Sequence, residues 1–446
     1  MQHREKKCLY RRIRMLFLIG LVLPVGTALA SVPEDTCDEL SLDTAVTVAM
    51  ENNPGLAAIR ARYEALAAIP SQQSSLPDPV LSLGAVNIPT DTFNLDQENM
   101  TQMQVGISQK FPFPGKLGLK EESAAFEAEA ALEQVGEARL DLVKNTRKTW
   151  WDIFYLQKSL EIVRSNQDLL RATVAAARTK YEVGKGLQQD VLLAQVELSR
   201  LMDREIAVEN AIEKKKAALA ALLDRPVDAG CFEVPGQHVN LDLPKILPIT
   251  TLQAVSLTSR PGLLALEKKT DATRSRIELA RKDYYPDFTV GAAYGYRQDT
   301  QDGRDRSDFA SVRLSMNLPI WTGTKQDKAV AQRTSESLAA EHRVREFRDR
   351  VLADIAGEFA EYSNTVRQSE LYSTSLIPQA EQTAAAMLKG YQVNKVDFLN
   401  VVRAQLALYN YKITYWKYLS NAFKALAGLE AATGASVVTV HQEQVR

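Results

Sequence analysis

The sequence predicts a mainly α-helical fold with a small β part, a tandem repeat of long coiled-coil helical hairpins with two strands in each half. Three observations predict it. The chain repeats internally at a spacing of about 207 to 210 residues. Apolar residues recur at steps of three and four along very long segments. Four short segments alternate apolar and polar side chains.

The first 30 residues read as an export signal. Arg4, Lys6, Lys7, Arg11, Arg12 and Arg14 form a basic start, Met15 to Val25 is a short apolar run, and Ala28-Leu29-Ala30 fits a small-x-small cleavage site. The alternative is an N-terminal membrane anchor. Past this point no run of about 18 apolar residues exists to make a membrane-spanning helix.

The repeat is carried by matched motifs in fixed order. Asn53-Pro54-Gly55-Leu56 matches Arg260-Pro261-Gly262-Leu263, and Phe111-Pro112-Phe113 matches Leu318-Pro319-Ile320. Tyr181-Glu182-Val183-Gly184-Lys185 matches Tyr391-Gln392-Val393-Asn394-Lys395, and Ala194-Gln195 recurs as Ala404-Gln405. The first repeat is expected over 31–224 and the second over 251–430, with a tail at 431–446. Between them, 225–250 holds Pro226, Pro235, Pro244, Pro248, Gly230 and Gly236, the composition of a connector.

Each half should run helix, two strands, long helix, turn, helix. Helices are expected near 41–75, 115–181 and 187–223, then 251–284, 323–392 and 397–428. The seam in the first long helix is Leu132, Val135, Leu142, Ile153, Leu156, Leu160, Val163, Leu170, Val174, Ala177 and Tyr181, interrupted by Arg139, Thr146, Thr149 and Gln167. Val191, Ala194, Leu198, Leu201, Val208, Ile212, Leu219 and Leu222 continue it after the turn. Leu399, Val402, Leu406, Tyr409, Ile413, Trp416, Phe423 and Ala427 repeat it in the second half. A period of about 3.5 residues implies left-handed supercoiling. Trp150, Trp151 and Trp416 fall inside these patterns and read as packing residues.

Strands are expected near 79–88, 102–111, 287–297 and 308–318. Val105 and Ile107 alternate with Gln104, Gly106 and Ser108, while Val312, Leu314 and Met316 alternate with Ser311, Arg313 and Ser315. About ten residues per strand, apolar on one face and small or polar on the other, is the pattern of an outer-membrane barrel. The alternative is a soluble sheet with one wet face. The polar segments Thr90 to Thr101 and Gln298 to Ser307 suit external loops, and Phe111, Phe113, Tyr284, Tyr285 and Trp321 gather at strand ends. Four strands cannot close a barrel, because about eight is the least that fills itself. Three copies would supply twelve strands and a pore.

The remaining composition excludes other functions. Lys and Arg number 54 and Asp and Glu 55, a net charge of -1 that offers nucleic acid no attraction. His3, His238, His342 and His441 never fall at ligand spacing, no Cys-x-x-Cys occurs, and no nucleotide loop or hydrolase motif is present. No cofactor, metal site or catalysis is expected. Once the signal with Cys8 is removed, Cys37 and Cys231 remain as a candidate disulfide.

This combination resembles the TolC-type outer-membrane factor family over about residues 38 to 434. Ser108-Gln109-Lys110-Phe111-Pro112-Phe113-Pro114-Gly115-Lys116-Leu117 and the two Tyr-x-Val-x-Lys turns are most similar to the branch that serves heavy-metal efflux. The resemblance implies a homotrimer, with a twelve-stranded barrel in the outer membrane and a twelve-helix periplasmic α-barrel. It implies a passive duct served by a periplasmic adaptor and an inner-membrane resistance-nodulation-division pump. By the same resemblance, Val183, Gly184, Lys185, Val393, Asn394 and Lys395 form the tip that an adaptor grips, although these residues equally suit plain tight turns. Asp190, Asn400 and Arg403 occupy positions that are often acidic gates, so two of the three depart from the pattern. An outward, solvated Asp190 is the other reading. Efflux of metal cations leads, with drug export, type I protein secretion and a poreless periplasmic coiled-coil scaffold as alternatives.

Overall fold

The computed structural model describes residues 38–226, 232–233, 235, 239 and 241–438. The expected signal segment and both candidate disulfide cysteines, Cys37 and Cys231, lie outside the described residues.

The chain order is β1 (Asp38–Glu39), α1 (Leu42–Asn52), α2 (Pro54–Ala67), α3 (Ile69–Ser74), β2 (Val80–Val86), β3 (Gln102–Phe111), α4 (Lys116–Glu182), α5 (Gln188–Leu222) and β4 (Phe232–Glu233). The second half follows with α6 (Ile249–Ser259), α7 (Pro261–Lys282), β5 (Phe288–Tyr296), β6 (Phe309–Met316), α8 (Gln326–Leu371), a π-helical turn (Tyr372–Leu376), α9 (Ile377–Gln392) and α10 (Phe398–Thr433). The α8–π–α9 rod covers Gln326–Gln392, displaced by 210 positions at both ends from α4. The repeat is therefore structural.

Each repeat motif does local work. The helix expected over 41–75 is broken at Asn53-Pro54 and again at Ala68, and the one over 251–284 at Arg260-Pro261. Proline pushes the residue before it out of helical geometry but suits a first turn. Asn53 and Arg260 are accordingly extended, at ψ 118° and 112°. The Asn53 side chain accepts from the Leu56 amide at 3.1 Å and donates to the Leu222 carbonyl at 3.0 Å, so α2 stands on the end of α5. In the other half Glu137 of α4 pairs with Arg260 and accepts from the Gly262 amide at 2.9 Å. Any side chain on Gly262 would meet that carboxylate and the Phe347 ring. Ser259, the last residue of α6, donates to the Thr433 carbonyl at 2.9 Å, which seats the junction of α6 and α7 on the end of α10.

Four columns result: α5 with α2, α4, α10 with α7, and α8 with α9, packed side by side in that order. Helix α4 alone has 67 residues, roughly 100 Å of rod at 1.5 Å per residue. Around mid-height the wall thickens into the main cores. Trp150 and Trp151 are 1% and 3% exposed, Trp151 stacks on Phe423 at 4.0 Å, and Trp150 donates to the Leu40 carbonyl at 2.9 Å. Below them Val163, Leu170, Leu201 and Tyr409 carry the seam onward, and Gln167 sits in it with its amide donating to Glu205 at 2.7 Å.

Three expected seam residues are exposed instead: Leu132, Tyr181 and Leu399. At the start of α10 the packed positions are Phe398, Val401 and Val402, one step out of phase with the expected Leu399 start. The expected connector and tail also join the fold. Leu247 donates its amide to the Val437 carbonyl at 3.0 Å, Ile246 bridges Val438, and the Tyr362 hydroxyl donates to the Pro244 carbonyl. Helix α10 runs past the expected end at 428 to Thr433, and stops at Gly434 with φ 71°. The two-residue parallel pair of β1 with β4 is too short to leave a pattern in sequence.

Candidate functional site

One end of the wall carries a four-stranded antiparallel sheet in the order β2-β3-β5-β6. Its register aligns the alternation seen in each strand. Leu83 pairs with Val105, Val105 with Tyr294, and Tyr294 with Ala310. Leu81 pairs with Ile107, Ile107 with Ala292, and Ala292 with Val312. The opposite face aligns Ser82, Gly106, Ala293 and Ser311. The apolar face is uncovered: Leu83 is 74% exposed, Val312 84% and Leu314 63%. Strands β2 and β6 each have one unpaired edge within the sheet. In hydrocarbon such edges leave backbone groups unsatisfied, so the sheet is a fragment of a closed wall. Among the described residues no helix is long and apolar enough to cross a membrane.

The sheet joins the helices through a charged latch. Asp287 accepts from the Phe113 amide at 3.0 Å and from Lys116 at 2.9 Å, and Lys110 lies 3.3 Å away. Burial would raise the Asp287 carboxyl, but these donors outweigh it and hold it below the ordinary carboxylate range. Phe113 stacks on Tyr285 at 4.5 Å, placing two of the expected girdle aromatics against each other, and Trp321 is exposed. At the far end Arg297 and Arg306 donate to the Asn99 and Glu98 carbonyls, tying the two loops together.

The other end of the wall holds both hairpin turns. Gly184 and Asn394 have φ 72° and 59°. Lys185 donates its amide to the Lys180 carbonyl and Lys395 to the Gly390 carbonyl, both at 2.8 Å, and each closes a left-handed helix stop. Val183 and Val393 project into solvent, 61% and 63% exposed. The structure thus brings the six tip residues to one end of the molecule. It also joins the two turns: Lys180 donates to the Tyr391 carbonyl at 2.6 Å and to Asn394 Oδ1 at 2.9 Å, and its ammonium sits 4.0 Å from the Tyr391 ring centroid.

Asp190 is half-buried beside this clip. Burial lifts its carboxyl above the ordinary range, and Asp397 lifts it further, while a backbone hydrogen bond at Leu187 and the charge of Lys180 oppose the rise. Burial likewise raises the Tyr391 phenol, with Asp190 adding to the effect. Asn400 and Arg403 are exposed. Sequence reasoning missed Lys180 and Asp397, and read Tyr391 only as part of the turn motif. A signal existed in the repeat, since Lys180 stands where the other half has Gly390. Among the described residues no group of three or more His, Cys, Asp or Glu side chains is placed to hold a metal ion.

Comparison with known proteins agrees with this geometry. The chain is 22% identical over 414 residues to the cobalt-zinc-cadmium resistance protein CzcC of Cupriavidus metallidurans, covering 92% of this chain and 94% of that one. It is 23% identical to the outer membrane protein TolC of Vibrio cholerae, over 84% of this chain and 85% of that one. The solved structure of the outer membrane protein VceC from Vibrio cholerae superposes with a TM-score of 0.76 at 19% identity, covering 89% of this chain and 96% of that one. The fold is that of the TolC-type channels, a trimeric barrel architecture with a small antiparallel sheet and long helices. Its place is the outer membrane, with the helical columns extending into the periplasm. The outer membrane efflux protein family matches residues 45–225 and 253–435, one match for each strand-and-hairpin unit, and the chain belongs to that family.

Proposed function

We propose that three copies of this chain form a passive duct, the outer-membrane component of a tripartite efflux system. The uncovered apolar face, aligned across all four strands and continuous with the rods, carries this reading. The chain brings binding surfaces and a conduit but no chemistry. A periplasmic adaptor grips Val183, Gly184, Lys185, Val393, Asn394 and Lys395, and an inner-membrane resistance-nodulation-division pump supplies the energy. Asp190 narrows the tip, in company with Asp397 rather than with Asn400 or Arg403.

Metal cations are the proposed cargo. The named activity of the cobalt-zinc-cadmium resistance relative, over nearly the whole of both chains, supports that choice. A deletion strain tests it. Loss of the gene should sensitise cells to cobalt, zinc or cadmium salts and leave drug tolerance unchanged; the reverse pattern overturns the metal cargo. Heat-modifiable trimers in the outer-membrane fraction that form pores in planar bilayers are expected. A soluble periplasmic monomer overturns the duct.

A further inference from the structure

In the part of the wall nearer the sheet, a cavity of about 420 Å³ is lined by residues from α2, α4, α7 and α8 together. All four columns of the wall, the two outer ones included, contribute side chains to it. Its charged residues are unbalanced: Arg62, Lys269, Arg276 and Arg343 against Glu127 and Glu336. Both carboxylates are already engaged. Glu127 pairs with Arg276, and Glu336 pairs with Arg333 at 2.8 Å and accepts from Gln332 at 2.9 Å. Among the described residues no carboxylate lies within salt-bridge distance of Arg62, Lys269 or Arg343. Burial lowers the Lys269 ammonium below the ordinary lysine range, and Arg62 and Arg343 lower it further. Three exposed cations thus line one open groove and repel one another through solvent, a repulsion that an anion among them would reverse.

We propose that this groove binds small multivalent oxyanions, molecules with two or more carboxylate or phosphate groups, held by Arg62, Lys269 and Arg343. Two guanidinium forks each match a planar carboxylate or a phosphate edge, and the ammonium supplies a point charge between them. Chloride can satisfy only one of these groups at a time. The site rests on the duct reading in a single respect: three copies of the chain give each assembly three such grooves. A bare divalent cation gains nothing here, which separates this groove from any metal preference.

The test is calorimetric titration of the detergent-solubilised full-length protein at low ionic strength with citrate, and separately with pyrophosphate. Saturable binding at one site per chain is expected for at least one of them, and which one binds decides between carboxylate and phosphate. Lys269→Gln combined with Arg343→Gln should weaken it roughly tenfold or more, the scale of lost charge-assisted contacts. Lys268→Gln is the control, because Lys268 pairs with Glu129 at 2.7 Å and lies over Phe126 rather than in the groove. Removing Lys269 relieves repulsion, so that variant should melt no lower than the parent. Absence of saturable binding with both probes, or equal weakening by Lys268→Gln, overturns the site. Pore formation in bilayers is scored separately: a normal pore without binding ends the groove alone, and binding without any pore keeps the groove and ends the duct.

Discussion

Asp287 stands one residue before β5 and gathers the Phe113 amide, Lys116 and Lys110, so a single carboxylate joins the first-half strand-to-helix turn to the second half. The Lys116 side chain is only 8% exposed and also pairs with Asp283 at 3.0 Å. Burial lowers its pKa, but Asp287 and Asp283 more than offset this and leave it raised. Asp287→Ala removes one partner of a largely buried pair and should cost about 3 kcal/mol, read as a lower urea midpoint of the assembled protein. Asp287→Asn keeps the amide contact and should cost less. The pH dependence follows from the two directions. The Asp287 contribution is complete above its unfolded pKa of about 3.9 and is lost as pH falls through its lowered folded value. The Lys116 contribution is complete below about 10.4 and is lost as pH rises through its raised folded value. Equal stability of Asp287→Ala and the parent at neutral pH would remove the latch from the account. Asp190 has the opposite sign: its raised pKa means that the neutral form suits the tip better, so acid relieves rather than strains it. None of this was legible in sequence, because Asp287 and Lys116 are 171 positions apart and only the sheet brings them together. Asp190 was singled out only through the family resemblance, whereas its neighbour Asp397 comes from the other hairpin.

At the scale of elements, the long helices were legible because their burial pattern is local and repeats many times. Their breaks were not. Asn53-Pro54 and Arg260-Pro261 announced the repeat, yet each also ends one helix and starts another, which the uninterrupted apolar spacing concealed. Pro378 explains a further interruption: it has no amide to give the Thr374 carbonyl, and the chain widens into a π turn in which Ile377 donates to the Tyr372 carbonyl. The matching stretch of α4 has no proline and stays α-helical. The hairpin turns were legible in full, since Gly184 and Asn394 occupy the left-handed positions that the turns require. Val183 beside them is exposed and supports no core, so Val183→Glu should leave the melting of the trimer within about 0.5 kcal/mol of the parent, as surface changes do. Export should nevertheless fall, because on the proposed reading a charge now meets the adaptor. Resistance measured in cells complemented with Val183→Glu decides the matter, and parental resistance at equal protein level would detach the tip from adaptor binding.

For the whole molecule, the sheet's two-residue alternation has meaning only in an assembly. The four strands leave β2 and β6 with open edges and hold apolar side chains such as Leu83 and Val312 in the open, an arrangement that a lone chain in water would not sustain. Closure by identical neighbours satisfies the edges, and lipid covers the apolar face. Adjacent residues of β6 separate these demands. Val312 shares a face with Ala292 and Ile107, while Ser311 shares the opposite face with Ala293 and Gly106. Both lie near the middle of the strand, at the depth where an outward charge is most costly. Val312→Arg should therefore destabilise the inserted barrel by about 2 to 4 kcal/mol and deplete heat-modifiable trimers from the outer membrane. Ser311→Arg, one residue away with the same added charge, should insert normally and shift ion selectivity toward anions, because its guanidinium lies in water inside the wall. Urea titration of the reconstituted proteins and single-channel recording measure the two effects. If Ser311→Arg were the variant that fails to insert while Val312→Arg assembled freely, the faces would be reversed, the interior would be apolar, and a water-filled duct through this sheet would have no physical basis.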